Sequence, residues 1–248
     1  DIFFAFDALK EFEKILTGQQ VVSVKPRGKA LLIRFSNDLS IYSHNQLYGL
    51  WYIRDANTYP KTNRQLRLAI HTHKKSALLY SASDISVLND AEIAVHPFLK
   101  SLGPDVLDEA TTIEQVEERL LDKQFYRRGL APLLLNQQFI CGIGNYLRSE
   151  ILFVARINPS FRPMDCTSRQ IQKLAEAVVV IPRKSYITKG ITNDIAIATK
   201  LKAAGKPRKA YRHWVFNRDN QPCHVCSTTI IKSVMGARRI YYCPQCQS

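Results

Sequence analysis

Residues 223–246 read CHVCSTTIIKSVMGARRIYYCPQC and contain four of the six cysteines in the 248-residue chain. A Cys-x2-Cys pair stands at each end, Cys223 with Cys226 and Cys243 with Cys246. Two residues between thiolates allow a tight turn to direct both sulfurs at one tetrahedral ion, and a hairpin returns the second pair. The spacing therefore predicts a C-terminal hairpin that holds one structural zinc ion (Zn²⁺). Two disulfides in a secreted protein are the alternative, which is disfavoured because no signal peptide opens the chain.

Positive charge is concentrated in the second half of the chain. Residues 1–122 contain 14 Lys or Arg and 16 Asp or Glu, whereas residues 123–248 contain 21 and 5. Such asymmetry indicates a polyanionic partner, and we expect nucleic acid rather than a merely solvated basic face. A membrane partner is disfavoured, because no basic amphipathic helix stands out and no apolar run approaches the ~18 residues of a membrane span. With 46% hydrophobic residues, the composition is that of a folded chain.

The first hundred residues alternate between apolar and polar positions, which is typical of short strands. Residues 33–35 and 39–41 alternate on either side of a Ser-Asn-Asp hairpin loop, and one short helix is predicted over residues 9–16 with Asp7 as its N-cap. Several short strands with turn signals indicate a β-sandwich or barrel.

A helical period replaces this alternation in the second half. The patterns Thr111-x-x-Glu114 and Thr167-x-x-Gln170 are capping boxes that predict helix starts. Further predictions are helices over 130–137 and 146–154, a linker over 101–110, and a loop or poorly ordered arm over 188–209.

Residues 141–148 (CGIGNYLR) resemble a helix-two turns-helix element. Two glycines allow the backbone to pass close to a phosphate, and the N–H groups of the following helix attract the anion. Asn145 is expected to cap that helix or to bind a phosphate. An ordinary helix–turn–helix corner is the alternative interpretation.

Together these features resemble the formamidopyrimidine-DNA glycosylase/endonuclease VIII family, most closely its bacterial endonuclease VIII branch. The resemblance is weakest over 158–170 and 192–212. Besides the four-cysteine hairpin, the matching stretches are 27–32 (RGKALL), 35–39 (FSNDL), 42–49 (YSHNQLYG), 79–84 (LYSASD), 96–99 (HPFL), 103–107 (GPDVL) and 144–152 (GNYLRSEIL).

The resemblance implies an α+β multidomain fold with damaged DNA bound in the cleft between its halves. The expected domains are a β-sandwich catalytic domain lacking its first helix over 1–105, a helical domain with the helix-two turns-helix element over 106–212, and a zinc finger over 213–248. The implied activity is base excision repair by a DNA glycosylase/AP lyase that removes oxidised bases, favouring pyrimidines, and nicks the strand by β,δ-elimination. The implied partner is double-stranded damaged DNA, bound by a monomer in the bacterial cytoplasm near the nucleoid.

In the family, an N-terminal proline amine attacks C1′ of the damaged nucleotide, and the neighbouring glutamate acts as acid and base. Neither residue matches a position here, because Asp1 aligns with the first strand. We therefore expect a parent enzyme that carries the Pro-Glu segment upstream. The alternatives are a catalytically disabled fragment or paralogue that only binds damaged DNA, and a zinc-ribbon protein that binds RNA or ribosomes.

Two catalytic residues are carried over by the resemblance. Lys29 matches a family lysine that assists catalysis from the sandwich, where its ammonium group suits proton donation or phosphate binding. Arg238 matches the finger arginine that reaches the phosphate at the damaged site and assists δ-elimination, as suits a bidentate guanidinium. Arg239 is the rival for this role, and a solvated charge is the alternative for each residue.

Further residues are expected to bind DNA. Gln46, Leu47 and Tyr48 lie where a loop would project and would fill the space left by an extruded nucleotide. The alternative is a turn in which Leu47 and Tyr48 pack inward. The other expected DNA-binding residues are Asn145, Arg148, and the pair Lys100 and Ser101, which stands where close relatives have a phosphate-binding arginine.

Overall fold

Two antiparallel sheets of four strands each occupy the first of the two units into which the chain divides, Asp1–Ser101 and Leu102–Ser248. The computed structural model describes all of residues 1–248. Strand order is β1-β6-β7-β5 in one sheet and β2-β3-β4-β8 in the other. The strands are β1 Ile2–Phe4, β2 Val21–Arg27, β3 Ala30–Phe35, β4 Ser40–His44, β5 Leu50–Asp55, β6 Leu66–His71, β7 Lys75–Tyr80 and β8 Asp84–Leu88.

The sandwich core of the first unit receives side chains from both sheets. Phe4 and Leu68 from one sheet meet Phe35 and Ile41 from the other, and none of the four is more than 1% exposed. Burying these side chains contributes about 2 kcal/mol each, which holds the sheets face to face. The predicted sandwich is confirmed.

Three helices accompany these sheets, namely α1 Lys10–Leu16, α2 Asp90–Val95 and α3 Pro97–Lys100. The predicted N-cap at Asp7 is wrong, because Asp7 begins a 3₁₀ turn and makes no capping hydrogen bond. Helix α1 is instead fastened to β1 through Glu13, whose Oε1 accepts hydrogen bonds from the Phe4 amide at 2.7 Å and from Lys10 Nζ at 2.9 Å. These donors lower the pKa of Glu13.

The second unit is helical and ends in a β-hairpin. Helices α6 and α7 share its core with α4, and the hairpin strand β10 packs on α6. No helix has the length and apolar character that crossing a membrane requires. The elements are α4 Ile113–Leu121, α5 Leu130–Leu133, α6 Asn145–Val154, α7 Ser168–Ile187, α8 Ile195–Ala203, α9 Arg208–Tyr211, β9 Ile231–Met235 and β10 Arg238–Tyr242.

The helix starts in this unit agree in part with the predictions. The capping box at Thr167 is confirmed. The cap of α4 is Thr112 rather than Thr111, because Thr112 Oγ1 accepts the Gln115 amide, whereas the Thr111 hydroxyl donates to the Asp105 carbonyl. The helix predicted over 130–137 is only one turn long, because the chain bends after Leu134 towards residues 141–144, the glycine-bearing turn.

The prediction of a loop or poorly ordered arm over 188–209 is wrong, because α8 and α9 occupy much of it. The Asp194 side chain caps α8 by accepting the Ala196 and Ile197 amides at 2.8 and 3.1 Å. Good helix formers follow this cap, but only Ala198 of α8 is buried, so the apolar period that marks most helices is missing.

The segment predicted as a linker belongs to the second unit from Leu102 onward. The Gly103 amide donates to the Gln137 carbonyl, and the Cys141 amide donates to the Pro104 carbonyl, both at 2.9 Å. Val106 is buried in the helical core. Residues 103–106 are therefore held against the glycine-bearing turn.

Candidate nucleic-acid interface and metal centre

Lys29 lies at the tip of a tight hairpin in the first unit. Gly28 and Lys29 form the two-residue turn between β2 and β3, so Lys29 lies directly before β3. Its side chain is exposed. In the next strand pair Ala30 is opposite His44, and the Lys29 charge is close enough to affect the pKa of His44. The ammonium group is thus displayed at the end of the sheet where β4 also finishes.

The loop over residues 45–49 leaves the sheet at this same end. The Gly49 amide donates to the Asn45 carbonyl at 2.7 Å, and a Cβ at Gly49 would lie only 2.6 Å from Asn45 Cα. This tight closure forces the intervening side chains outward, with Leu47 67% and Tyr48 69% exposed. The alternative in which Leu47 and Tyr48 pack inward is therefore wrong.

Gln46 and a residue that the sequence did not reveal brace this loop. Gln46 adopts a positive φ of 49°, its amide donates to His44 Nδ1, and its Oε1 accepts the Ser83 hydroxyl at 3.0 Å. The Arg64 guanidinium donates to the Tyr48 carbonyl. Arg64 lies 16 residues away in sequence, so no local pattern could have indicated that it supports the loop.

The histidine at the end of β4 has a packing role. The His44 ring lies 5.1 Å from the Phe98 ring of α3 in an edge-on arrangement. Burial lowers the pKa of His44; Asp84 opposes this shift and Lys29 adds to it. Burial thus favours a neutral imidazole beside Lys29.

Lys100 and Ser101 close the first unit. Both are exposed at the end of α3, where the Ser101 hydroxyl donates to the Phe98 carbonyl at 2.8 Å. The hydroxyl therefore ends the helix, and the Lys100 ammonium group is the charged member of the pair.

In the second unit, the glycine-bearing turn is folded against Gln137. The Gly142 amide donates to Gln137 Oε1, and Gln137 Nε2 donates to the Ile143 carbonyl. Gly142 has φ +93°, and a Cβ there would meet Val106 at 3.0 Å, so another residue would be strained. Gly144, rather than Asn145, is the N-cap of α6.

Asn145 and Arg148 connect the first turn of α6 to the C-terminal hairpin. Asn145 Nδ2 donates to the Arg239 carbonyl at 2.9 Å, and Asn145 Oδ1 accepts Arg148 Nη2 at 2.7 Å. Arg148 is fully buried and also donates to the carbonyls of Ala131, Met235, Arg238 and Arg239. The expectation that Arg148 touches DNA is therefore revised, since its side chain holds the hairpin and does not reach the surface.

Arg238 is exposed at the first position of β10, directly after the hairpin turn. The turn itself packs on α5, where a Cβ added to Gly236 would lie 3.2 Å from Pro132 Cβ. Burial lowers the pKa of Arg148 to about 10, and the nearby Arg238 charge contributes. The exposed Arg238 guanidinium thus lies near the buried Arg148 guanidinium, and no carboxylate is among the hydrogen-bond partners of Arg148.

Glu150 is, with Arg148, the second buried ionisable residue of α6, and the sequence did not indicate its role. Its carboxylate accepts the backbone amides of Trp214, Val215 and Phe216 at 2.8–2.9 Å and the Thr192 hydroxyl. Burial raises its pKa, and these donors oppose the rise. Glu150 thereby fixes the segment that leads into the C-terminal hairpin.

The four hairpin cysteines gather at one point. Their Sγ atoms all lie within 4.8 Å of one another, with 3.4 Å for Cys226–Cys243, 3.5 Å for Cys226–Cys246 and 4.0 Å for Cys223–Cys246. A tetrahedral zinc ion with Zn–S bonds of about 2.3 Å requires sulfurs about 3.8 Å apart, so the donor set fits the ion. None of the four is disulfide-bonded, so the disulfide alternative is wrong.

The zinc centre is tied to the helical core by Gln247. Its Oε1 accepts the Cys243 amide, and its Nε2 donates to the Ile157 carbonyl, both at 3.0 Å. Bound zinc fixes the hairpin, while these bonds fix the hairpin against the residues that follow α6.

Comparisons with known proteins agree with this arrangement. Residues 4–83 match the formamidopyrimidine-DNA glycosylase N-terminal domain, 102–196 its H2TH domain, and 220–248 the zinc finger found in FPG and IleRS. Endonuclease 8 of Shigella sonnei and of Escherichia coli are each 45% identical over 247 residues, covering 100% of this chain and 90% of the relative. The chain belongs to the formamidopyrimidine-DNA glycosylase/endonuclease VIII family.

Solved structures of the family share the fold. MutM in complex with DNA containing carbocyclic 8-oxo-G has a TM-score of 0.80 at 19% identity, covering 100% of this chain and 90% of that one. Lactococcus lactis Fpg bound to abasic-site DNA has a TM-score of 0.80 at 20% identity, covering 100% and 91%.

Family membership settles the class of function. Members are DNA glycosylases and AP lyases of base excision repair, and this chain is a DNA-binding protein of that class with a structural zinc ion. The RNA-binding and binding-only alternatives are not favoured.

Proposed function

We propose that this protein excises oxidised pyrimidines from double-stranded DNA, as a monomer in the bacterial cytoplasm, and cuts the strand by β- and then δ-elimination. The observation that carries the proposal is the outward display of Leu47 and Tyr48 beside the Lys29 turn. An enzyme that acts on a base inside a duplex must extrude it and fill the gap. An exposed aliphatic and aromatic pair on a braced loop suits that task.

The loop side chains divide the work of extrusion. Leu47 enters the stack as a wedge, Tyr48 stacks on a neighbouring base, and Gln46 bonds the unpaired partner base. Base–aromatic stacking contributes about 1–3 kcal/mol, which offsets part of the cost of unpairing. The Gln46–Tyr48 sequence also resembles the endonuclease VIII branch, which supports pyrimidine lesions.

The cationic side chains of the site assist the reaction and bind DNA phosphates. Lys29 protonates the departing base or holds the phosphate beside it. Arg238 binds the phosphate at the damaged site through its guanidinium fork and supports δ-elimination. Asn145 uses one amide hydrogen on Arg239, so its second remains for a phosphate oxygen. Lys100 supplies the contact that close relatives make with arginine.

Arg148 has a different role from the direct contact with DNA that the sequence predicted. We assign it a positioning role, because its five hydrogen bonds leave both Nη atoms engaged inside the protein. It acts on DNA through Arg238.

Excision assays on matched duplexes test the proposal. The chain, preceded by the family's Pro-Glu segment, is incubated with duplexes containing thymine glycol, 8-oxoguanine or no lesion. We expect thymine glycol to be released fastest. Tyr48→Ala should reduce that rate about tenfold, corresponding to ~1.4 kcal/mol of lost stacking.

Tyr59→Ala is the matched control, because Tyr59 is also an exposed tyrosine of the first unit, at 55%. Equal losses in the two variants would remove the special role of the loop. Faster release of 8-oxoguanine than of thymine glycol would contradict the pyrimidine preference.

A further inference from the structure

Residues 192–212 form a basic excursion that the DNA-contact residues above do not include. It contains six Lys or Arg residues and a single carboxylate, that of Asp194. The protein's six ion pairs involve none of these cations. The sequence resemblance to the family is weak in this segment, as it is over 158–170, so the family motifs assign none of these cations a role.

Hydrogen bonds hold the two ends of the basic excursion together. The Thr192 and Asn193 amides both donate to the Arg212 carbonyl, at 2.9 and 3.3 Å, and Asn193 Nδ2 donates to the Tyr211 carbonyl. Thr192 and Asn193 are fully buried, and the Thr192 hydroxyl donates to the Glu150 carboxylate. The excursion is thus anchored on α6, the helix whose first turn carries Asn145.

Its charged side chains fall into two groups. Arg208 and Arg212 have internal roles, since they donate to the carbonyls of Lys189 and Gly190. The second group is exposed and comprises the lysines 200, 202, 206 and 209. The one nearby carboxylate, Asp194, is occupied in capping α8.

Fold stability accounts for this second group only in part. The C-terminal dipoles of α8 and α9 favour Lys200, Lys202 and Lys209 in their last turns, but give no reason for Lys206 or for the clustering of all four lysines. Four like charges on one closed excursion repel each other unless an anion lies against them. A phosphodiester backbone supplies regularly spaced anions, and binding it releases counterions.

We propose that the basic excursion is an additional phosphate-binding surface, which contacts the DNA backbone through Lys200, Lys202, Lys206 and Lys209. This inference rests on the proposed function only in taking duplex DNA as the ligand. Lysine contacts to phosphate carry no base information, so the surface adds affinity and on-rate without changing which lesion is recognised.

Salt-dependent DNA binding tests the surface. Fluorescence anisotropy is measured with this chain and a duplex containing a tetrahydrofuran abasic analogue, and with the undamaged duplex, from about 50 to 200 mM salt. The excursion variant carries Lys→Gln at positions 200, 202, 206 and 209. The control variant carries Gln at four exposed cations of the same unit, Lys123, Arg127, Arg169 and Lys173.

We expect the negative slope of the logarithm of the DNA association constant against the logarithm of salt concentration to become shallower by about 2–4 in the excursion variant. Its affinity at low salt should fall at least about tenfold, and both effects should be the same for the two duplexes. The control should lose less than half as much. An unchanged slope, or equal losses in the two variants, overturns the proposal.

Two measurements separate other causes. Zinc content and Trp214 fluorescence report whether the second unit is folded in each variant. If the unsubstituted chain shows no preference for the abasic analogue, the proposed function fails, whereas the slope difference between the variants still decides the role of the basic excursion.

Discussion

Replacing Arg148 with methionine should loosen the C-terminal hairpin and weaken DNA binding through Arg238. Arg148 is fully buried and donates five hydrogen bonds, three of them to carbonyls that flank the hairpin turn. Methionine fills a similar volume but donates nothing, so these carbonyls lose the guanidinium donors, and the Arg239 carbonyl keeps Asn145 Nδ2 as a partner. The hairpin then lacks its main polar connection to α6.

The size of the effect follows from two opposing terms. Hydrogen bonds from a charged donor contribute about 1.5 kcal/mol or more each, which gives ~7.5 kcal/mol for five. Removing the charge recovers the cost of burying it. That cost corresponds to the pKa shift from 12.5 to about 10, or about 3 kcal/mol. The second unit should therefore lose about 4 kcal/mol of stability, near the range found when buried charged networks are broken.

The two tryptophans provide the assay. Trp51 lies in the first unit and Trp214 in the second, so a Trp51→Phe background makes fluorescence specific for the second unit. In this background, urea unfolding is compared for the chain with Arg148 unchanged, for Arg148→Met and for Arg148→Lys. Lysine retains the charge with fewer donors and should be intermediate. A loss below about 1 kcal/mol for methionine would refute the argument.

A double-mutant cycle tests the coupling to DNA. If Arg148 acts through Arg238, Arg238→Ala and Arg148→Met should each weaken binding to abasic-analogue duplex, and the double variant should be no weaker than Arg238→Ala alone. Additive losses would show that Arg148 affects DNA by another route.

Two further predictions concern the second unit. Cys243→Ser, or removal of zinc by a strong chelator, should unfold the hairpin and abolish tight DNA binding while Trp51 fluorescence stays native; zinc-free protein with full affinity would count against this. Burial lowers the pKa of His213 from 6.5 to about 3, and the charges of Arg212 and Arg208 add to this shift. Between pH 6.5 and about 3, the unfolded state therefore binds a proton that the folded state does not bind. Stability should therefore fall by about 2 kcal/mol as the pH drops from 6.5 to 5, and His213→Gln should remove most of that slope in zinc-containing buffer, whereas equal slopes would exclude His213 as the cause.

The sequence predicted features whose information is local. The four-cysteine spacing indicated the metal centre, and the Thr167 pattern located the start of α7, because each depends on residues a few positions apart. The loop at Gln46–Tyr48 was also placed correctly, since it follows a strongly alternating strand. The outward direction of Leu47 and Tyr48 follows from the tight closure of that loop at Gly49, which the sequence does not display.

Features that depend on distant partners were missed. Arg148 carries the family motif but contacts carbonyls 87–91 positions away, so burial changed its expected role. Glu150 receives its backbone donors from residues more than 60 positions away. Helix α8 escaped prediction because it buries a single residue, and an exposed helix has no apolar period to detect.

Borohydride trapping on a duplex with one abasic site tests the central claim most directly. The chain preceded by the family's Pro-Glu segment should form a covalent adduct with the abasic strand and none with undamaged duplex, and Arg238→Ala should reduce the δ-elimination product relative to the β-elimination product. The absence of any adduct, with abasic-site binding intact, would contradict the lyase assignment.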